Sequence, residues 1–448
     1  MSGTVSASDA FWQQPVTRQL QQQLNQFEPS QRFLVACSGG RDSLSLTRAL
    51  QLLCPGRVRI VHINHQLQAP ARQWADWLST QCTLWDLPHV IKNVQVKAGN
   101  VEEQARNARY AALFETVQPD EVLVLGHHQQ DQAETVFLRL LSGSGVVGLS
   151  AMKMLEQRHG VQLWRPLLQC TRAHITQLAA LICPQYIDDP ANQQQQFDRV
   201  FLRQQVWPLL SERWPALNSS LSRSATLMQD CSEILQDVVQ QDWQRCGNEQ
   251  QLDIDQLLSL SPARQRLLIS RWMQGKAQEN SRQQYAPAFH LVEQLRQALI
   301  EARQDAAPKV EWQGWQFRRY QKLIYRLPKQ LVVANDQLLD WQVDQQINVP
   351  SGLWRWQEQT FGFPLEMLAQ PWTLQARRGG EVLHLRGRAG RWPLKKSLQS
   401  AGLAPWQRQQ VHLLIQGELV LGVLTSQGFW PAVQPAWVAQ GWLPERIS

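Results

Sequence analysis

Residues Ser38, Gly39, Gly40, Arg41, Asp42 and Ser43 stand between an apolar run and the start of a helical pattern. A loop of this type is suited to holding an anion. Glycine lets the backbone approach a ligand closely and takes positive φ. The helix start that follows offers unpaired N–H groups and the positive end of a dipole. Hydroxyls of Ser38 and Ser43 can donate to phosphate oxygens. The loop is not a Walker A motif, because no Gly-Lys-Ser/Thr follows at the required spacing. On residue types alone, a plain strand-to-helix turn capped by Asp42 or Ser43 competes with a phosphate site.

Further groups could join it. Asp131 and Glu134 are three apart near a helix start and share a face. They could bind an ammonium, take a proton from an amine or hold Mg²⁺; the competing reading is that they complement the helix dipole. Arg106 and Arg109 share one helical face, and Arg199 and Arg203 another. Either pair suits phosphate. His127 and His128 are adjacent, so on a strand they point to opposite faces and cannot easily chelate one ion. Of His62 and His65, the second is the better pocket residue and the first the better packed one.

The elements that must position these groups alternate. Strands are expected over 32–36, 58–64, 89–96 and 121–128, and helices over 43–53, 71–82, 101–117 and 131–141. This order predicts a parallel sheet with crossover helices. The loops at 37–40, 64–65 and 126–128 then share the carboxyl edge, where open sheets bind ligands. After about residue 215 the pattern turns helical, and from 310 it reads as strands. A glutamine-rich stretch near 330–350 reads as a linker, and the last hundred residues as short strands rich in Gly, Pro and Trp.

With 448 residues, two or three domains are expected. Charged residues make up only 18%, and the net charge is +7, which weakly favours a polyanionic partner. The seven Cys include no Cys-x-x-Cys pair, which argues against disulfides, zinc and iron–sulfur clusters. No signal peptide or membrane-length apolar run is visible, so a cytoplasmic location is expected. The 20 Trp read first as core filler, with base stacking as the alternative.

The Ser38–Ser43 loop resembles the S-G-G-x-D-S loop of the PP-loop ATP pyrophosphatases. The segments 61–67, 102–113, 126–152, 164–168 and 186–210 follow in an order similar to the lysidine synthase family, and 387–424 resembles the C-terminal domain of its long bacterial form. The resemblance implies a Rossmann-like PP-loop catalytic domain of the adenine nucleotide alpha hydrolase type over 1–220. It further implies a mostly helical tRNA- or substrate-binding domain over 221–345 and a small α+β tRNA-binding domain over 350–448.

The implied reaction adenylates the wobble cytidine of an isoleucine tRNA with a CAU anticodon, then ligates free L-lysine to its C2. ATP and Mg²⁺ are the implied cofactors, and no obligate protein partner is implied. Asp42, Arg109, Asp131, Glu134 and Arg203 become candidates for the chemistry. Ser38, Gly39, Gly40, Arg41, Asp42, Ser43, His65 and His127 are candidates for the nucleotide, although which of His127 and His128 faces the site stays open. Asp42 is the candidate metal ligand, favoured over bracing of the loop. Arg377, Arg378, Arg386, Arg388, Arg391, Lys395 and Lys396 are candidates for the tRNA backbone.

The chain departs from the family pattern at Gln130, Ser142 and Val200, where a carboxylate, an Arg and an Asn are usual. Each departure removes a polar or charged group near the expected site. They leave a rival expectation, a tRNA-binding homologue with lost or altered catalysis.

Overall fold

The computed structural model describes residues 7–66, 70–95, 101–188, 198–275, 287–300, 308–433 and 437–447. Residues 67, 96 and 189–197 of the segments named above lie outside the described residues. The described residues up to Gln241 form one compact unit, and those from Asp242 onward a second.

In the first unit, β1 (Arg32–Ala36), β2 (Val58–Asn64), β3 (His89–Asn93), β4 (Glu121–Leu125), β5 (Leu155–Arg158) and β6 (Val161–Trp164) form one sheet, ordered β3-β2-β1-β4-β6-β5. Every pairing is parallel except β5 with β6. The helices are α1 (Ala7–Gln13), α2 (Pro15–Leu24), α3 (Arg41–Leu53), α4 (Ala71–Leu84), α5 (Val101–Thr116), α6 (Gln129–Leu141), α7 (Val146–Leu149), α8 (Arg172–Ile182), α9 (Asp198–Phe201), α10 (Trp207–Arg213) and α11 (Leu217–Cys246). Residue 220, the expected domain boundary, lies within α11.

Strand periodicity sets the layers. Phe33, Val35, Ile60, Val122 and Val124 join one core with Leu44, Leu46 and Leu50 of α3, Leu78 of α4 and Ile175 and Leu178 of α8. Their neighbours Leu34, Val61, Leu123 and Leu125 face the other way, onto Tyr110 and Leu113 of α5. A period of two on strands buried on both faces reads as a nearly continuous apolar run, which is why the strands were visible in sequence. Each such side chain contributes about 1.5–3 kcal/mol by leaving water.

The strand order fixes the site. The chain runs outward from β1 to β3 and then returns to β4 on the other side of β1. The loops leaving β1 and β4 therefore meet at the sheet's switch point.

In the second unit, β7 (Gln251–Asp253), β8 (Lys309–Trp312), β9 (Trp315–Tyr320) and β10 (Leu323–Pro328) form an antiparallel sheet ordered β7-β10-β9-β8. Trp272, on the helix Pro262–Gln274, packs on Phe317 of β9 with ring centroids 5.4 Å apart. The expected mostly helical region thus contains a sheet of its own. Further along lie antiparallel sheets of five and three strands.

The stretch read as a linker belongs to these last sheets. It supplies strands Gln337–Leu339 and Gln346–Val349, and its Trp341 is fully buried. The two strands are only three and four residues long, and the most exposed position of the first is Leu338, so the first breaks the alternation of apolar and polar residues and the second is too short to announce itself. Trp341, Trp356 and Trp372 pack in series, with centroids 4.4 and 5.0 Å apart, which makes these tryptophans core.

Candidate active site

The phosphate-type loop leaves β1 and enters α3 at Gly40, whose extended backbone (φ −72°, ψ 160°) is that of an N-cap. Gly39 has φ +83°, and an added Cβ would overlap Cδ1 of Ile187. The backbone conformation therefore favours glycine there, and a larger residue would also have to push the end of the Ile187 side chain aside. Ile187 N donates to Gly39 O at 2.9 Å, so this segment lies against the loop. A Cβ on Gly126 would sit 3.3 Å from Ser43 Cα, which brings the loop after β4 onto the first turn of α3.

The hydroxyls expected to face phosphate are engaged in bracing the loop. Ser43 Oγ accepts from Ser38 N at 3.1 Å and donates to Gly40 O at 3.1 Å, and Ser38 Oγ accepts from Gly40 N at 3.3 Å.

Helix α6 begins on the opposing loop. His128 is its N-cap: Nδ1 accepts from Gln130 N at 3.2 Å, and Asp131 Oδ2 accepts from His128 N at 3.0 Å. This is a reciprocal capping box, so Asp131 does serve the helix end as the competing reading supposed. It also does more. His128 Nε2 lies 3.6 Å from Asp131 Oδ2 and 3.5 Å from Asp42 Oδ2. One imidazole nitrogen thus joins a carboxylate of the phosphate-type loop to one of α6. Desolvation pushes the Asp42 carboxyl up, but His128 and Arg41 outweigh it and hold the pKa at about 2. Arg41 Nε donates to Asp42 at 2.8 Å. Asp131 is likewise held low: burial opposes ionisation, and His128, which also donates its backbone N–H, His127 and Arg199 overcome it.

The Glu134 side chain is fully buried beside them. Its carboxylate accepts from Arg203 Nε and Nη2, both at 2.8 Å, from Arg199 Nε at 3.2 Å and from Gln130 Nε2 at 3.0 Å. Arg203 Nη2 also reaches Asp131 Oδ1 at 3.2 Å. Arg203 rides on a π-turn, Leu202–Val206, between α9 and α10. Pro208 explains the turn: it has no N–H for the carbonyl four residues back, and its ring would strike that carbonyl, so the helix widens there.

A third group faces the cluster without a carboxylate of its own. Arg109 is half-buried, and among the described residues it has no ion pair; its pKa is lowered by burial and by Arg106 and Arg199, against Tyr110. Arg109 and Arg106 both lie 5.6 Å from the Tyr110 ring centre, within cation–π reach. Burial drives the pKa of His127 down to about 3, against the Asp131 charge. His65 is lowered by burial and by Arg109 and His62. Among the described residues, the buried Nδ1 atoms of His65 and His127 have no hydrogen-bond partner. Unsatisfied imidazole nitrogens at the carboxyl edge of a parallel sheet suit a polar ligand such as a nucleotide. His62 is packed away, with Nδ1 2.9 Å from Cys37 O.

The Ser38–Ser43 loop, His65, His127 and the start of α6 thus come from the edge of one sheet, whereas α5 carries Arg109 and the π-turn carries Arg203. Sequence reasoning left His128 undecided and did not foresee Ile187. The signal for His128 was its position three residues before Asp131, the spacing of a capping box.

A PP-loop domain model matches residues 12–210. A TilS substrate binding domain matches 252–325, and a TilS substrate C-terminal domain matches 372–430. The tRNA(Ile)-lysidine synthase of Acinetobacter baylyi is 41% identical over 454 residues, covering 100% of this chain and 98% of the relative. The chain belongs to the tRNA(Ile)-lysidine synthase family. A second member, from Escherichia coli O157:H7, is 34% identical, with 89% of this chain and 94% of the relative covered. Among solved structures, the U34-tRNA thiolase NcsA from Methanococcus maripaludis matches 48% of this chain and 78% of its own at 16% identity and a TM-score of 0.40.

The departures from the lysidine synthase pattern now have positions. Gln130 donates to Glu134 within the cluster. Val200 is half-buried on α9 between the two arginines. Ser142 is the C-cap of α6, with Oγ donating to Leu138 O at 2.7 Å. It lies about 16 Å of helix rise from Asp131, so the expectation that it adjoins the site is corrected.

In the second unit, Arg377 pairs with Glu381 at 3.6 Å and Arg378 with Asp336 at 2.5 Å. The Arg386 guanidinium lies 3.6 Å from the Phe361 ring centre. Among the described residues, Arg388, Arg391, Lys395 and Lys396 are exposed and have no carboxylate partner. Lys395 and Lys396 stand in the first turn of the helix Leu394–Ser400, where the helix dipole disfavours cations. No helix of the described residues is long and apolar enough to cross a membrane.

Proposed function

We propose that this chain uses ATP to ligate free L-lysine to C2 of the wobble cytidine in an isoleucine tRNA with a CAU anticodon. The C2 oxygen attacks the α-phosphorus of ATP and pyrophosphate leaves. The lysine ε-amine, having lost a proton, then adds to C2; the C2–O bond breaks, AMP departs and lysidine remains. The modified tRNA reads AUA in place of AUG.

The observation that carries this reading is the meeting of Asp42 and Asp131 at His128 Nε2, 3.5 and 3.6 Å away. It sets the anion-binding loop beside a pair of carboxylates suited to an amine. The backbone of Gly39, Gly40 and Arg41 and the start of α3 hold the pyrophosphate end of ATP. His65 and His127 supply buried imidazole nitrogens to the nucleotide or the cytidine. Arg109 faces the charge that develops on the α-phosphate. Asp131 and Glu134 take the ammonium and its proton, which requires Arg199 and Arg203 to yield part of their hold on Glu134.

A divalent cation fits here. Asp42 is ionised at neutral pH, and Mg²⁺ usually takes one or two carboxylates plus substrate phosphates instead of an all-protein cage. Bound there through Asp42, directly or through water, Mg²⁺ would neutralise phosphate charge. Arg388, Arg391, Lys395 and Lys396 suit the tRNA backbone, with Arg377, Arg378 and Arg386 flanking them. A cytoplasmic setting is where tRNA, ATP and lysine meet.

The catalytic reading is favoured over a lapsed tRNA binder because Asp42, Arg109, Asp131, Glu134 and Arg203 are all in place. The test incubates the protein with ATP, Mg²⁺, lysine and the isoleucine tRNA transcript, then digests the tRNA and seeks lysidine by mass spectrometry. Lysidine on this tRNA, and not on initiator methionine tRNA, is expected. Tight tRNA binding without product would favour the lapsed binder.

A further inference from the structure

The cap of α6 and the link between Asp42 and Asp131 use opposite edges of one ring. His128 Nδ1 accepts from Gln130 N at 3.2 Å. A nitrogen that accepts carries no proton, so the ring's N–H stands at Nε2. That atom lies 3.5 Å from Asp42 Oδ2 and 3.6 Å from Asp131 Oδ2. Both distances exceed a hydrogen bond, so the N–H attracts the two carboxylates electrostatically from between them, and with the side chain 6% exposed little water screens that attraction. The two carboxylates have other partners on their far sides, Arg41 for Asp42 and Arg203 for Asp131. Among the described residues, His128 is the side chain whose ion pairs reach both carboxylates, and Arg203, paired with Asp131, adds its charge to Asp42 from farther off. Without a donor between them, two carboxylates meeting at one point would repel and part.

We propose that His128 is a positioning residue: its Nε2–H holds the phosphate-loop carboxylate of Asp42 and the α6 carboxylate of Asp131 in register, so that nucleotide and amine meet at one point. This rests on the ligase reading above. It makes His128 more than a helix cap, and it couples two parts of the site that the chain builds about ninety residues apart.

Two substitutions separate the edges of the ring. In His128→Asn the side-chain amide reaches the place of Nδ1, so the cap can persist while the donor at Nε2 is lost. In His128→Gln the amide nitrogen reaches the place of Nε2, so the donor can persist while the cap is lost. Three readouts are taken on full-length protein: Tm, equilibrium affinity for ATP with Mg²⁺, and kcat and KM for ATP and lysine in lysidine formation.

The expected result is that H128N keeps the higher Tm of the two variants. It loses about 10- to 100-fold in MgATP affinity and in kcat/KM, the range typical when a partner that orients ligands is removed. H128Q stays within a few-fold of the parent in both. The reverse pattern, with H128N active and H128Q impaired, would reduce His128 to a cap and overturn the proposal. Equal loss in both variants, tracking Tm, would overturn it too. Should the parent protein itself make no lysidine, the ligase reading fails, and MgATP affinity in the two variants still decides the role of His128.

Discussion

Arg203 meets Glu134 fork to fork, with Nε on one carboxylate oxygen and Nη2 on the other, both at 2.8 Å. The geometry is bidentate and the carboxylate is fully buried, whereas 34% of the arginine side chain remains exposed. Removing one partner leaves a buried charge, which typically costs about 3–5 kcal/mol. Here Arg199 and Gln130 still bond to Glu134, and Arg203 can recover water. Arg203→Met is therefore expected to cost about 2 kcal/mol, below that range. Glu134→Gln should cost a similar amount, and the double variant less than the sum. A double-mutant cycle by urea denaturation measures the coupling; strict additivity would mean the fork contributes nothing. Lysidine formation should fall far more than stability in Glu134→Gln, because the amine loses its carboxylate.

Gln130 puts a neutral donor where a carboxylate is usual in the family. Its bond to Glu134 satisfies that acid without adding charge. Asp131 and Glu134 are already balanced by Arg199 and Arg203, so an arriving ammonium meets a cluster near neutrality. Gln130→Glu adds one negative charge at a half-exposed position, worth about 1 kcal/mol for a cation after solvent screening. The KM for lysine should drop about fivefold, with the KM for ATP little changed. A lysine titration at saturating ATP reads this directly, and an unchanged KM would show that position 130 does not tune amine binding.

Much of the catalytic unit was legible because each signal was local. Strands buried on both faces announce themselves as apolar runs, and the Gly-Gly loop sits where a strand gives way to a helix. The carboxylate pair at 131 and 134 was legible from helical spacing alone. What could not be read was which partners the site residues choose. Nothing near Arg203 in sequence says that it grips Glu134, because that contact closes over 69 residues. Ile187 against Gly39 is equally non-local. The linker reading of 330–350 failed because its strands are three and four residues long and the first exposes Leu338, so too few positions alternate to announce a strand.

His127 gives the first unit an acid sensitivity. Its folded pKa of about 3 lies below the ordinary 6.5, so unfolding takes up a proton at any pH between the two. Stability is then full above about pH 6.5 and declines as pH falls towards 3. Asp42 acts lower down. Its pKa of about 2 against an ordinary 3.8 gives a stabilisation present above 3.8 and lost as pH falls through 2. His127→Asn should flatten the slope between pH 6.5 and 4 while leaving the Asp42 contribution below it. Urea midpoints across that range test this, and an unchanged slope would place the acid sensitivity elsewhere.

Gly39 carries two separable constraints, a left-handed backbone at φ +83° and a side chain, Ile187, lying where a Cβ would go. Placing alanine in the left-handed region costs about 1 kcal/mol from conformation alone. The overlap with Ile187 adds a displacement of the segment that bonds to Gly39 O. Gly39→Ala should therefore lower Tm and weaken ATP binding at least tenfold, because the backbone N–H groups of the loop are aimed by that φ. Ile187→Ala opens the space without changing φ. If sterics dominate, the double variant Gly39→Ala/Ile187→Ala recovers most of the lost ATP affinity; if conformation dominates, it recovers almost none. The structure favours the second outcome, since a flexible isoleucine end can move aside and the turn from β1 into α3 cannot. Calorimetric titration of the two single variants and the double with ATP and Mg²⁺ distinguishes the two, and full recovery in the double variant would show that the loop tolerates the backbone change.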